Sequence, residues 1–282
     1  MTMTRYRLLP IETQYWKPGD NYLLTIVKSI KGKVANNDII VVSEKAISIA
    51  LNNIIDENKI KPTAGAESIA VFWMPKIWGY VLGPVSRLRR TLITRIRRYP
   101  KQEGSRHKQT VLERAGLLQA LMFGSEGGID GSNLPYAYVS LPLKNPSWIA
   151  RVIRKQVQLK LQKNVAVMIV DTDRTYSVNN FHFTPRPKPM KGIHSFGGFL
   201  SYVVARFFKF EKRATPLAIS GRIIPVGEAL HIAELANRCR GSGAGRTVWE
   251  MAEGFHVKLT GVTWQMLDGT KHKPIIIVRK KR

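Results

Sequence analysis

Residues Gly124-Ser125-Glu126-Gly127-Gly128-Ile129-Asp130-Gly131-Ser132-Asn133 constrain the chain more than any other stretch. Glycines crowd two acids and an asparagine between apolar flanks, Leu117 to Phe123 and Leu134 to Leu143. Glycine lets backbone turn sharply and lets a ligand approach closely, so Asp130 is presented rather than packed. About forty residues later, Val165 to Val170 reads as a buried strand that ends on acids, Asp171-Thr172-Asp173. In an α/β fold the ends of buried strands face the ligand crevice. The central expectation is therefore that Asp130 and Asp171 meet in one site and hold a divalent metal against phosphate, with the Thr172 hydroxyl as a further oxygen ligand. A plain turn at Gly-Ile-Asp-Gly is the alternative reading of the same residues.

The pattern along the chain is that of a mixed α/β protein. Tyr6 to Ile11 reads as a first strand, Tyr22 to Ile30 as an amphipathic helix, and Ile39 to Val42 as a fully buried strand ending on Ser43-Glu44-Lys45. Ser147 to Leu161 reads as a helix capped by Asn145 or Ser147, Pro225 to Arg240 as another, and Pro274 to Val278 as a closing strand. Gln102 to Gln109 is expected as a polar loop, and Thr110 to Leu121 is ambiguous between helix and strand. Phe183 to Pro189 alternates with prolines and is expected as an extended loop. Mixed sheets with packed helices are expected over 1–68 and 102–282. Residues 69–101 form a hydrophobic and arginine-rich insertion, and 279–282 a basic tail.

Within that insertion, Ile69 to Val85 has nearly the length of a membrane span, yet Pro75, Gly79, Gly83 and Pro84 interrupt it, so a packed helix or a partner-facing surface fits better. Arg87 to Lys101 reads as a basic amphipathic helix with Leu88, Leu92 and Ile96 on one face. Such a helix packs on its own core, or lies on nucleic acid or on an anionic membrane surface. Lys and Arg number 45 against 19 Asp and Glu, a formal charge of +26, which attracts polyanions without choosing among them.

Other chemistries are excluded or weak. A single cysteine, Cys239, rules out an intramolecular disulfide and a cysteine zinc cluster, and suits a reducing cytoplasm. Met1 to Pro10 lacks the apolar run of a secretory signal. The histidines show no metal-ligand spacing, and no serine hydrolase signature is present. Gly241-Ser242-Gly243-Ala244-Gly245-Arg246-Thr247 is too short for a Walker A loop and follows a helix, but its amides can cradle phosphate.

Taken together, Lys17-Pro18-Gly19-Asp20, Asp38 to Ser48, Gly128-Ile129-Asp130-Gly131-Ser132-Asn133, Val170-Asp171-Thr172 and the Gly227 to Cys239 helix with its loop resemble the coenzyme F420-0:gamma-glutamyl ligases over most of the chain. The resemblance implies a cytoplasmic homodimer that uses GTP and Mg²⁺ or Mn²⁺, with K⁺ as a further ion. Such an enzyme couples L-glutamate to the terminal carboxylate of F420-0, or of a related acid, through an acyl phosphate. It assigns one metal to Asp130 and Asp171 and a second to Thr172. It assigns the guanine nucleotide to Asn133, Glu44, Lys45, Gly241, Ser242, Gly243 and Gly245. The chain departs from the family pattern at Ser48-Ile49-Ala50-Leu51, where a nucleotide-contacting lysine becomes isoleucine. It departs again at Glu126-Gly127-Gly128 before Ile129-Asp130, and at Asp173-Arg174-Thr175, which lacks the usual glycine.

Overall fold

The computed structural model describes residues 5–124 and 126–281; Met1–Thr4 of the amino terminus, Ser125 of the glycine-rich stretch and Arg282 of the tail lie outside the described residues. Its strands are β1 (Tyr6–Thr13), β2 (Ile39–Ser43), β3 (Ile54–Asp56), β4 (Tyr138–Ser140), β5 (Ala166–Val178), β6 (Phe181–Thr184), β7 (His194–Ser195), β8 (Glu211–Ser220) and β9 (His272–Lys280). Seven of them form one sheet in the order β1-β9-β2-β5-β6-β7 with β8 also on β5, while β3 and β4 pair separately. The fold is mixed α/β, as expected.

Apolar runs on both faces explain the layering. Ile40, Val42, Val167, Ile169, Ile275 and Ile277 share one core with the helices Tyr22–Ile30, Glu44–Ala50 and Pro146–Leu161. Ile39, Val41, Ala166, Met168, Ile276 and Val278 face the other way, onto the helix Val226–Arg240. Sheets covered on both faces need continuous rather than alternating apolar strands. Side-chain caps fix where helices begin: Asn21 Oδ1 accepts from Leu24 N at 3.0 Å, and Asn145 Oδ1 from Trp148 N at 3.0 Å, so Asn145 rather than Ser147 is the cap.

Register creates the functional opening. β2 runs parallel to β5 and stops with Ser43 opposite Val170. On that same edge β6 starts only with Phe183 opposite Tyr176. Residues 171–175 of β5 therefore have no strand partner there, while β8 on the other edge shifts register between Asp171 and Arg174. Bulges of this kind re-aim side chains beside active sites. Asp171 thus lies within a long strand rather than at its end, a correction to the sequence reading. The reason is β8, which pairs with β5 from Val167 to Ser177 and carries it past the acids.

Two more expectations change. Gln102 to Gln109 is not a loop but part of the helix Lys101–Arg114, which runs into the segment read as ambiguous and ends before Gly116 (φ 93°), where a second helix, Leu117–Ala120, takes over. Its polar residues misled because Ser105, Lys108, Gln109 and Thr110 are buried. Lys108 Nζ donates to Met122 O at 2.8 Å and to Glu126, and His107 lies between Glu57 (2.9 Å) and Glu126. The closing strand also runs on through Lys280, so Arg279 is a strand residue that pairs with Asp38 at 2.7 Å.

Residues 69–101 fold as a π-helical segment, Ile69–Leu82, with Pro75 inside it, followed by the helix Arg90–Arg97. Met74, Trp78 and Ile96 share one apolar cluster with Val111, Met122 and Phe199, and Leu88 and Leu92 pack against it. The indole N–H groups of Trp73 and Trp78 both donate to Leu121 O, at 2.8 and 2.7 Å. Arg97 lies 4.2 Å over the Tyr80 ring, while Arg89, Arg90 and Arg98 are exposed. Among the described residues no helix is long and apolar enough to cross a membrane.

The helix network has a defined pH signature. Burial opposes charge on His107, but Glu126 and Glu57 outweigh it and lift its pKa from 6.5 to about 10. Burial likewise opposes charge on Glu126, yet Lys108 and His107 hold it at about 2 instead of 4.5. The His107 contribution to stability is full below pH 6.5 and is lost as pH rises toward 10; that of Glu126 is full above 4.5 and is lost as pH falls toward 2. Urea unfolding of Glu126→Gln is expected to show a loss of about 3–5 kcal/mol at pH 6, because Lys108 and His107 are left without their carboxylate. The mutant should also lose much of the decline at both pH extremes.

Candidate functional site

The opening in the sheet leads into a cavity of about 700 Å³. Its floor is built from three pieces of chain. The first is Lys45, at the start of the helix that follows β2; its Nζ donates to Asp130, to Ser132 O at 3.0 Å and to Ser132 Oγ at 2.8 Å. The second is the glycine-rich stretch, held against β4 where Ser140 N donates to Asp130 O at 3.0 Å. Asp130 Oδ1 accepts from Ser132 N at 2.6 Å, a local turn that aims the carboxylate. The third is the β5 bulge, where Asp171 Oδ1 accepts from Thr172 N at 2.7 Å.

Asp130, Asp171, Thr172 and Lys45 therefore line one cavity, together with Asn133, Gly241, Ser242, Gly243 and Gly245. Asn133 acts through that loop: its Oδ1 accepts from Ala244 N at 2.6 Å and its Nδ2 donates to Ser242 O at 3.2 Å and Gly245 O at 2.9 Å. Backbone approach is so close that a Cβ at Gly243 (φ +60°) would lie 2.5 Å from Asn133 Oδ1. Glu44 differs from the rest. Its side chain is buried away from the cavity, accepting from Leu143 N at 2.9 Å and from Arg186.

Arg186 is the residue that sequence reasoning missed. It is 2% exposed and sits where Phe183 to Pro189 was expected only as an extended loop. Its Nη2 donates to both oxygens of Glu44 (2.8 and 2.7 Å); its Nη1 meets Asp171 and lies 3.5 Å from Asp173 Oδ2. The available signal was a lone arginine between Pro185 and Pro187, whose rings stiffen the chain on both sides.

The electrostatics follow from these contacts. Burial works against charge on Asp171, but Arg186 and then Lys45 hold its carboxyl below the ordinary range. Burial and the neighbouring Asp171 push Asp173 well up. Burial raises Glu44 to about 7 against the pull of Arg186. Burial pulls the Arg240 guanidinium, on the wall of the cavity, below its ordinary range, while Asp171 and Asp130 support its charge. An anion entering here meets Lys45, Arg240, Lys271 and Lys273. The far wall is aromatic, with Phe123 stacked on Trp249 at 6.1 Å and Tyr99 edge-on to it.

The donor chemistry fits a hard cation. Asp130, Asp171 and Thr172 offer oxygens only, and Asp173 Oδ2 is buried without a hydrogen-bond donor. No group of three or more His, Cys, Asp or Glu able to hold a metal occurs among the described residues. A bound ion would therefore need further oxygens, of the kind that phosphate supplies.

Comparison with known proteins bears on the same residues. Residues 10–201 match the family model described as F420-0:Gamma-glutamyl ligase, a range that includes Lys45, Asp130, Asp171 and Arg186. An uncharacterized protein of Methanocaldococcus jannaschii, MJ1361, is 35% identical over 287 residues, covering 98% of this chain and 97% of that protein.

The Asn133 clamp yields a direct test. Asn133→Ala is expected to lower unfolding free energy by about 1–3 kcal/mol, since it strips partners from the loop backbone. Hydrogen exchange should speed up at the amides of 241–247 and stay unchanged in β2 and β9; equal rates in the loop would contradict the clamp.

Proposed function

The chain belongs to the F420-0:gamma-glutamyl ligase family, and from that premise we propose that it is an active, GTP- and metal-dependent ligase that joins L-glutamate to the terminal carboxylate of F420-0 or a related acid. One observation carries this reading. The Lys45–Asp130 pair, the Asp171-Thr172 bulge and the Asn133-clamped glycine loop converge on one cavity, although they come from distant parts of the chain.

The amides of Gly241, Ser242 and Gly243 receive the phosphates, while Asn133 takes the Ala244 amide and sets the shape of the loop. Lys45 and Arg240 supply positive charge to the triphosphate. Asp130 and Asp171 would hold Mg²⁺ or Mn²⁺, with Thr172 toward a second ion, and the bound ion would supply neutralisation of charge on the phosphoryl group. The carboxylate oxygen of the acceptor attacks the γ-phosphorus, the bond to the β-phosphate oxygen breaks, and GDP leaves. The glutamate amine nitrogen then attacks the carbonyl carbon of the acyl phosphate. The carbon–oxygen bond to phosphate breaks, inorganic phosphate departs, and the nitrogen keeps one hydrogen in the amide and releases the rest to solvent. The protein's part is to hold acceptor and amine adjacent in a cavity that limits water. A cationic pocket in a chain of +26 suits reactants that are all anions. The reading extends to a cytoplasmic homodimer, with K⁺ as an accessory ion.

Thermal shift tests it. Wild type is expected to be stabilised by GTP with Mn²⁺, by about 2.7 kcal/mol at 100 times the dissociation constant, and less by ATP. Asp171→Asn should remove the metal-dependent part of the shift. Absence of a shift with every nucleotide at millimolar concentration would overturn the GTP-ligase reading. A positive result leads to product analysis with F420-0 and glutamate.

A further inference from the structure

We propose that Arg186 is a built-in counter-ion for the carboxylates of the site and that, with Lys45, it makes divalent-cation binding conditional on the phosphates of a nucleotide. The inference rests on the nucleotide reading above.

Glu44, Asp171 and Asp173 come from two chain segments and converge on one guanidinium. Three carboxylates around one positive centre is an arrangement normally completed by a hard cation. Here the centre is a guanidinium, whose charge is permanent and whose planar donors match carboxylates in pairs. At 2% exposure it has no solvated alternative nearby.

The backbone is shaped to keep it in place. A Cβ at Gly128 would lie 2.7 Å from the guanidinium carbon, and Gly128 has φ +89°. The glycine-rich stretch therefore closes over Arg186 at Gly128, which gives that glycine a purpose that Asp130 alone does not explain. Thr184 Oγ1 accepts from Arg186 N at 3.2 Å and fixes the loop from the other side.

Lys45 plays the same part for Asp130 but is more readily displaced, being a flexible point charge at the cavity wall. Around the buried floor, the charges of Glu44, Asp130 and Asp171 are already matched by Lys45, Arg186 and Arg240, and Asp173 is pushed toward its neutral form. That leaves no net negative charge. A free divalent ion gains little from this and must displace cations already seated, whereas an ion arriving with a triphosphate brings its own anionic ligands. Asp173 Oδ2, buried and without a donor, is the acceptor left over.

The test is a Mn²⁺ titration followed by electron paramagnetic resonance on nucleotide-free protein. Wild type is expected to bind Mn²⁺ only in the millimolar range. Arg186→Met, which removes a positive charge next to the carboxylates, should bind at least roughly tenfold tighter, and Arg186→Lys, which keeps a cation, should stay weak. Gly128→Ala, which pushes the guanidinium aside without removing it, is expected to tighten binding in the same direction and decides the matter if Arg186→Met does not fold. Micromolar Mn²⁺ binding by nucleotide-free wild type overturns the proposal, as does the absence of any gain in the folded variants. The titration contains no nucleotide, so its outcome is separate from that of the GTP thermal shift: tight binding to wild type would sink the counter-ion role and leave the ligase reading standing.

Discussion

The ion pairs of Arg186 hold the site together. They tie the end of β2, through Glu44, to the β5 bulge, through Asp171, at the point where the two strands stop pairing. Without them, carboxylates from both segments would be buried side by side, a configuration that burial and mutual repulsion oppose. Breaking one buried pair of this kind leaves an uncompensated charge worth about 3–5 kcal/mol. The opening in the sheet is therefore a consequence of chemistry as well as register. β6 does not continue along β5 into 171–175, and the Arg186 loop that follows β6 reaches back to the acids there.

From this anchor the cavity is built outward in layers of decreasing rigidity. Arg186 and Glu44 are sealed; Asp171 and Asp173 are nearly so; Lys45 and Asp130 stand at the wall with part of their side chains open. Beyond them lies the glycine loop, whose conformation depends on the Asn133 amide. Binding groups thus sit on a backbone that the sheet and the buried ion pairs position, as functional loops require.

Much of this was legible in the sequence because the relevant signals are local. Continuous apolar runs marked β2 as fully buried, β5 as buried and β9 as a closing strand, and the Tyr22–Ile30 helix follows its 3.6-residue period. The pairing of the Asp130 and Asp171 segments across one cavity was readable from a glycine-rich stretch and an acid-bearing strand. What escaped was non-local. The helix Lys101–Arg114 presents Lys108 and Gln109 to the interior, where Glu126 and Met122 O satisfy the first and Thr63 and Glu113 the second, so no periodicity of apolar residues announces it. Arg186 was hidden likewise: its partners lie 142 positions away in Glu44 and 15 away in Asp171. The length of β5 depends on β8, which lies far along the chain.

Two buried clusters of acids and bases flank the cavity, and their hydrogen bonding separates their roles. In the His107 cluster both imidazole nitrogens meet carboxylates, and Lys108 has a carbonyl as well as Glu126. None of its side-chain atoms is left buried and unpartnered among the described residues. A network satisfied in this way rigidifies and specifies the core. The Arg186 cluster is different: Arg186 Nε and Asp173 Oδ2 are both buried without partners, and Asp173 is pushed toward its neutral form. Native proteins leave few such atoms, and they concentrate where strain, chemistry or a ligand accounts for them. The unsatisfied cluster, rather than the more elaborate satisfied one, is the one arranged around something that arrives.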